Sequence, residues 1–449
     1  MVTNIISLIV ERLSERTSKG LAHAIGEAIG DGSIHEGMRL PAIRTVADEL
    51  GLSPSTVSTA WRILNQAGAI RTDGRRGTIV MSRGGPGPTR YRRALDRSVP
   101  FRLDLSTGVP DGALLPSLIP ALSNLHLTST TGSYLDDPTI PGLADALQVD
   151  WPYPVGQFTI MDGAMDAMNQ VAVQLLHFGD VALVENPTFP PLLDLLDAIG
   201  VRTIGVNIDD AGLIPAELKE ALSLRPKVLF LQPRAHNPTG ASLSAKRARE
   251  LAALLKASPV FMIEDDSAGA IASTPPISLG TWLPERTVHI RSFSKSHGPD
   301  LRIAAVSGPS SVMEGVRERR LLGQGWTSRL LQSVLLSLLT RSESKKQVER
   351  ARTAYFYRRS MITSELQRLG VAVESGDGLN LWLPVRDEMS AMVYLVSRGI
   401  GAAAGSPFMS KDVATPHLRI TVGLITDDFV RLATEFAIAS DTFSAVGPR

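Results

Sequence analysis

Lys295 stands in the run Ser292-Phe293-Ser294-Lys295, at the mouth of an apolar strand ending near Ile290. An amine flanked by hydroxyls at a strand end suits Schiff-base chemistry with an aldehyde, with the hydroxyls placed to hold an anion. Seven residues on, Arg302 offers a guanidinium for a phosphate. Glu264-Asp265-Asp266 closes a second apolar strand. One carboxylate there can pair with a protonated pyridine-type nitrogen and strengthen the ring as an electron sink. Asn237-Pro238-Thr239-Gly240 follows the strand at Leu231 and brings an amide to the same edge. Gly163-Ala164-Met165 opens a helix, whose free amides and positive dipole end favour a phosphate. Phe189, in ENPTFPP, is able to lie flat on an aromatic ring. Each feature alone is common. A lysine beside serines is ordinarily solvated, and paired acids are ordinarily exposed or hold a divalent metal. Asn-Pro-Thr-Gly is a frequent turn, and a phenylalanine is ordinarily core.

The elements that must position these residues are strands in alternation with long helical stretches. Apolar strands are predicted at 181–184, 228–231, 260–263 and 287–290. Such alternation indicates a doubly wound α/β domain with a mostly parallel sheet, whose ligand lies outside the carboxyl ends of the strands. The chemically pointed residues fall at those ends.

A different chemistry occupies the first 81 residues. Leu21, Ala22, Ile25, Ala28 and Ile29 form a helical stripe, a second short helix spans 43–50, and Gly51 stops it. Ser53 before Pro54 is a helix start, with a hydroxyl for the orphan amides and a proline that loses no hydrogen bond. The third helix runs through Val57, Ala60, Trp61 and Leu64. Two short strands follow, at 69–72 and 77–81, around a tip holding Arg75 and Arg76. Helix, turn, helix and basic ribbon is the order of a winged helix-turn-helix. Ser53, Ser55, Thr56 and Ser58 lie where a recognition helix meets base edges. Their hydroxyls suit phosphates and undemanding base contacts more than bidentate reading of guanine. Arg44, Arg75 and Arg76 are the candidates for phosphate and groove contacts. The alternative is a protein-docking module with solvated arginines.

Composition narrows the rest. The 449 residues are 43% hydrophobic and 20% charged, a core-forming mixture, with a formal net charge of only +1. That balance excludes a polycationic scaffold, although residues 1–100 carry 14 basic against 9 acidic side chains. With no cysteine there is no disulfide framework, iron–sulfur cluster or thiolate zinc site. No apolar run approaches the ~20 residues that span a bilayer. No signal peptide is expected, and the expected location is the cytoplasm. Residues 82–100 pack Gly, Pro and Arg without periodicity and read as a basic linker between residues 1–81 and residues 101–449.

RLPAIRTVADELGLSPSTVSTAWRILNQAGAIRTDGRRGTIV resembles the winged helix of GntR-type repressors, with Pro54 where an arginine usually follows the first serine. The lysine, acid, amide and glycine segments, in their order and spacing, resemble fold-type I pyridoxal-phosphate enzymes, the class I aminotransferases. The two together resemble the MocR-type transcriptional regulators over essentially the whole chain. The resemblance implies a winged helix-turn-helix joined to an α/β aminotransferase-like domain with a smaller C-terminal α+β subdomain. By the same resemblance Lys295 forms the Schiff base with pyridoxal phosphate, Asp265 pairs with the ring nitrogen, Asn237 meets the 3-oxygen and Phe189 stacks. Ser292, Arg302 and the amides of Ala164 and Met165 hold the phosphate. Tyr134 reaches it from the partner subunit, and Arg419 clamps a substrate carboxylate. Ser267 stands where the family places a tyrosine on the 3-oxygen, which implies altered proton balance and little turnover. No metal is expected. The implied assembly is a homodimer with each head packed on the other chain, the cofactor or an amine condensed with it acting as effector on operator DNA. An active aminotransferase with an accessory head is the alternative.

Overall fold

The structure is a computed structural model that describes residues 2–35, 37–66, 69–73, 77–80, 90, 101–123, 133, 135–411 and 415–442. Tyr134, Arg75, Arg76 and all of the stretch 82–100, read from the sequence as a linker, except Arg90 lie outside the described residues.

The head holds helices α1 (Val2–Val10), α2 (Ser18–Gly30), α3 (Ile43–Leu50) and α4 (Pro54–Gln66). Strands β1 (Arg39–Leu40), β2 (Ile70–Asp73) and β3 (Gly77–Val80) form an antiparallel sheet with β3 in the centre. The expected three helices and hairpin are present. α1 and β1 are additions: α1 buries Ile5, Ile6 and Ile9, and β1 is too short to carry a periodic signal. Gly51 ends α3 in the left-handed region at φ 61°, where a side chain would be strained. All the apolar positions read from α2 and α4 are buried.

Strand β4 (Leu103–Asp104) opens the large domain, followed by β5 (Thr159–Met161), β6 (Val181–Asn186), β7 (Arg202–Asp209) and β8 (Gly212–Leu213). Then come β9 (Val228–Leu231), β10 (Phe261–Asp266), β11 (Thr287–Ser292) and β12 (Ala304–Ser307). Eight strands form one sheet in the order β5-β12-β11-β10-β9-β6-β7-β8. Its central run from β11 to β7 is parallel, while β12 and β8 pair antiparallel to their neighbours. Separate apolar clusters cover the two faces, one around Val184, Ile263 and Ile290, the other around Leu183, Leu229 and Met262. This is the layering that near-continuous apolar strands require.

The C-terminal subdomain contains β13 (Leu381–Pro384), β14 (Ile400–Gly401), β15 (Ala403–Ala404) and β16 (His417–Ile420). Its sheet runs β13-β16-β15, and β14 pairs in parallel with β4, which ties the start of the large domain to this subdomain. The head and the subdomain share one continuous apolar core. α2 packs along the Glu388–Ser397 helix so closely that a Cβ on Gly26 would come within 3.0 Å of Val393 Cγ2. Among the described residues no helix is long and apolar enough to cross a membrane. Within this one chain the head thus docks on its own C-terminal subdomain. The Arg90 amide donates to Asp194 at 3.0 Å and its guanidinium reaches Asp197 at 2.6 Å.

Candidate cofactor site and DNA-reading surface

A cavity of about 440 Å³ opens at the carboxyl ends of β9, β10 and β11. Every expected cofactor residue within the described chain lines it: Lys295, Asp265, Asn237, Phe189, Ala164, Met165, Ser292, Arg302 and Ser267, as does Arg419, the expected carboxylate clamp. Ser292 is the last residue of β11, and Lys295 follows in the turn, its Nζ 3.4 Å from Ser267 Oγ. Burial lowers the proton affinity of the Lys295 amine, with Arg419 acting in the same sense and Asp265 against it. A neutral amine is the form that attacks a carbonyl carbon.

Strand alternation turns Asp265 into the cavity and its neighbours Glu264 and Asp266 away from it. Burial pushes the Asp265 carboxyl up to about 7; Lys295 opposes the rise and Asp266 adds to it. Its Oδ1 is buried without a hydrogen-bond partner among the described residues. A buried orphan acceptor is costly, and a protonated ring nitrogen would satisfy it.

The anion end is built by backbone conformation. Gly163, at φ 102°, caps the Ala164–Leu175 helix, and a Cβ there would stand 3.0 Å from Arg302 Nη2. Arg302 itself sits at φ 49°, an uncommon left-handed conformation for a non-glycine residue. Guanidinium and free helical amides therefore converge on one spot, which suits a phosphate. Phe189 is the N-cap of the Pro190–Ile199 helix, so the fixed turn at Pro190-Pro191 aims its ring.

Arg419 projects from β16. Its Nη1 donates to Asn237 Oδ1 at 3.5 Å, its Nη2 to the Ser106 carbonyl, and its guanidinium lies 5.1 Å over the Phe408 ring. Asn380 Nδ2 also donates to Asn237 Oδ1, at 3.2 Å, which leaves the Asn237 amide hydrogens for a ligand oxygen.

One wall was not anticipated. Thr107 to Pro110 enters the cavity, held by the Gly108 amide donating to Thr421 Oγ1 at 2.9 Å. Gly108, at φ 67°, leaves room for Arg419, whose Nη1 would be 3.1 Å from a Cβ. The signal available in the sequence was Gly108-Val109-Pro110, four residues past the end of the short strand β4.

On the head, Arg44, Ser55 and Ser58 are exposed and Thr56 is half-buried. Ser53 is already engaged: its Oγ accepts the Thr56 amide at 3.0 Å and lies 2.7 Å from the hydroxyls of Ser55 and Thr56.

Comparison with known proteins agrees with this geometry. Residues 102–436 match the family model of aminotransferase class I and II, and residues 17–80 match that of bacterial regulatory proteins of the gntR family. The chain is 33% identical over 423 residues to the vitamin B6 salvage pathway transcriptional repressor PtsJ of Salmonella typhimurium, covering 92% of this chain and 95% of that protein. The chain belongs to the MocR-type regulators of the GntR family. A second relative of this MocR-type regulator, the HTH-type transcriptional regulator TauR of Rhodobacter capsulatus, is 27% identical over 80% of this chain and 81% of its own. Among solved structures an archaeal alanine:glyoxylate aminotransferase superposes with a TM-score of 0.70 at 19% identity, over 78% of this chain and 93% of that one. A single mutant of Thermus thermophilus aspartate aminotransferase gives 0.67 at 20%, over 79% and 97%. At those identities the likeness shows the fold alone. This MocR-type regulator is a DNA-binding transcription factor whose second domain is of the pyridoxal-phosphate, fold-type I aminotransferase kind.

Proposed function

We propose that pyridoxal phosphate, held at Lys295, is the effector through which this regulator governs its DNA occupancy, with genes of vitamin B6 supply as its targets. The observation that carries the reading is the orphaned Oδ1 of Asp265 facing the Lys295 cavity, with the Arg302–Gly163 anion cradle at the other end. The bound group would supply an aldehyde carbon for an amine and a ring nitrogen for a carboxylate. Lys295 would hold the aldehyde, Asp265 the ring nitrogen, Asn237 the 3-oxygen, and Phe189 the ring face. Ser292, Arg302 and the Ala164 and Met165 amides would hold the phosphate, joined by Tyr134 of the partner subunit. The name of the PtsJ relative supports the vitamin B6 connection.

The coupling route follows from packing. Arg419 belongs to β16 of the C-terminal subdomain, and the head docks on that same subdomain. A carboxylate drawn onto Arg419 would bias the subdomain's position and carry the head with it, provided the ligand binds the two positions unequally. In a cytoplasmic homodimer this would alter the spacing of two heads on paired half-sites, and exchange of heads between subunits would place the docking surface of α2 on the partner. On the DNA, Arg44, Arg75 and Arg76 would meet phosphates, and Ser53, Ser55, Thr56 and Ser58 would border the bases.

The test is DNA binding to the gene's own upstream region with and without pyridoxal phosphate. The cofactor is expected to change the dissociation constant in the native protein and to leave Lys295→Ala unmoved. That variant should also lack the visible absorption band the cofactor acquires on lysine. Equal cofactor effects in both proteins would reject the role of Lys295. A second reading, catalytic turnover, is favoured by the intact Arg419–Asn237 pair. Steady-state conversion of an amino acid with 2-oxoglutarate would establish it.

A further inference from the structure

Behind the cofactor cavity, on the other face of β10, lies a buried set of charges that the proposed function leaves unused. β10 and β11 run parallel with Glu264 opposite His289 and Asp266 opposite Arg291. Glu264 accepts from the Leu279 amide at 2.7 Å and from the Ser278 hydroxyl at 2.5 Å, and its Oε2 lies 2.7 Å from His289 Nδ1. Asp266 accepts two bonds from Arg234, at 3.0 and 2.8 Å, and one from Arg291 at 3.2 Å. Arg291 continues to Asp150 at 2.6 Å. The second ring nitrogen of His289 is 3.8 Å from Asp266 Oδ2. The imidazole edge packs on Trp151 at 5.0 Å and Tyr153 at 6.3 Å.

One carboxylate is hydrogen-bonded at Nδ1 and a second stands 3.8 Å from the otherwise unpartnered Nε2, an arrangement that suits the imidazolium, the form that is charged and presents two N–H groups. Arg234 and Arg291 both bond Asp266, and Arg291 reaches on to the exposed Asp150, so among the described residues His289 is the one cation beside Glu264. With His289 neutral, the buried Glu264 carboxylate has no cation beside it, and that uncompensated charge stands on the strand that carries Asp265. We infer that His289 is a positioning residue which, by carrying a proton between Glu264 and Asp266, balances the charge behind the sheet and lets Asp265 meet the cofactor ring as a carboxylate. This rests on the reading of Asp265 as the partner of the ring nitrogen.

The titration behaviour is consistent. Burial works against the charged His289 ring, yet the carboxylates of Asp266 and Glu264 beside it raise its proton affinity. Burial likewise opposes Asp266, but Arg234, His289 and Arg291 hold its carboxyl well below the usual range. Tyr153 is kept neutral, chiefly by burial and then by the charge of Glu264. Asp265 faces Lys295 on its own side of the sheet, with Glu185 as the other nearby acid.

Three measurements decide it. Histidine-labelled NMR of the native apoprotein should show His289 doubly protonated at pH 7; a neutral ring there overturns the inference without any variant. Infrared titration of the Asp265 carboxyl in apoprotein, assigned with Asp265→Asn, should move upwards by on the order of one pH unit in His289→Gln. It should return in the double variant Glu264→Gln/His289→Gln, which removes one charge of each sign, a recovery that a merely structural role would not produce. An unmoved midpoint in His289→Gln, or no recovery in the double variant, overturns it. Pyridoxal phosphate titrations then separate the two readings. Native protein that binds none defeats the cofactor assignment, while the apoprotein titrations still decide the role of His289.

Discussion

Asp265 shows how one side chain sets a cost and a function together. Its carboxyl is raised from 3.8 to about 7, chiefly by burial, and it has no hydrogen-bond partner for Oδ1 among the described residues. The unfolded chain releases this proton near pH 4, whereas the folded apoprotein keeps it until about 7. Stability attributable to this group is therefore full below pH 4, declines as pH rises toward 7 and stays low above it. Asp265→Asn removes the titration. Thermal melts of the two apoproteins should nearly coincide at pH 4, and the gap should open in favour of the variant up to about pH 7 and then hold at on the order of a few kcal/mol. The same variant should lose pyridoxal phosphate affinity, because the amide cannot meet a protonated nitrogen with a charge. Melts that track each other at every pH would show that the native carboxyl is solvated or paired. The ability of residue types to announce this site was high. Lys295, Asp265, Asn237 and Arg302 have distinct chemistries near strand ends, and the parallel pairing of β9, β10 and β11 gathers them at one sheet edge. Gly108 and Thr421 carry no such mark, since their contact joins segments 313 residues apart.

Elements divide in the same way. β6, β9, β10 and β11 were legible as apolar runs, but β10 and β11 each extend into their polar ends, because Asp266 and Ser292 still bond within the sheet where periodicity has stopped. α1, with its three buried isoleucines, could be read from its apolar content only as a segment without cleavage signals. The start of α4 was legible in full, and the structure adds a distinction within it. Ser53 caps the helix, while Ser55 and Ser58 present exposed side chains. Ser53→Ala should then cost the head about 1 kcal/mol of stability. Ser58→Ala should leave stability within about 0.5 kcal/mol while weakening operator binding. Chemical denaturation beside DNA titration separates them, and equal stability losses in both would deny Ser53 its capping role. Arg90 adds a weaker tie: its exposed ion pairs on the helix that Phe189 caps are worth about 1 kcal/mol or less, so Arg90→Ala should shift linker protection from proteolysis more than melting.

At the scale of the molecule the consequential surface is the seam between head and C-terminal subdomain. α2 is buried around nearly its whole circumference from Leu21 to Ile29, which a helix packed on one side only would not be. The stripe at Leu21, Ile25 and Ala28 was visible as an amphipathic face. Ala24 and Gly26, small and weakly apolar, gave no sign of a second partner, although small residues are what a close helix contact needs. Gly26 tests the seam directly. Alanine there gains helix propensity of about 1 kcal/mol but places its methyl 3.0 Å from Val393 Cγ2, so the two effects nearly cancel. Pairing Gly26→Ala with Val393→Ala relieves the contact but leaves a smaller side chain on the partner helix. Leucine at 26 is different in kind, since overpacking costs about 1–3 kcal/mol and the strain lies wholly at the seam. Gly26→Leu should therefore undock the head while sparing both folds. Calorimetry should resolve two transitions where the native chain gives one, pyridoxal phosphate should bind as before, and the cofactor's effect on operator affinity should disappear. Retention of that effect with the head undocked would move the coupling from the seam to the linker.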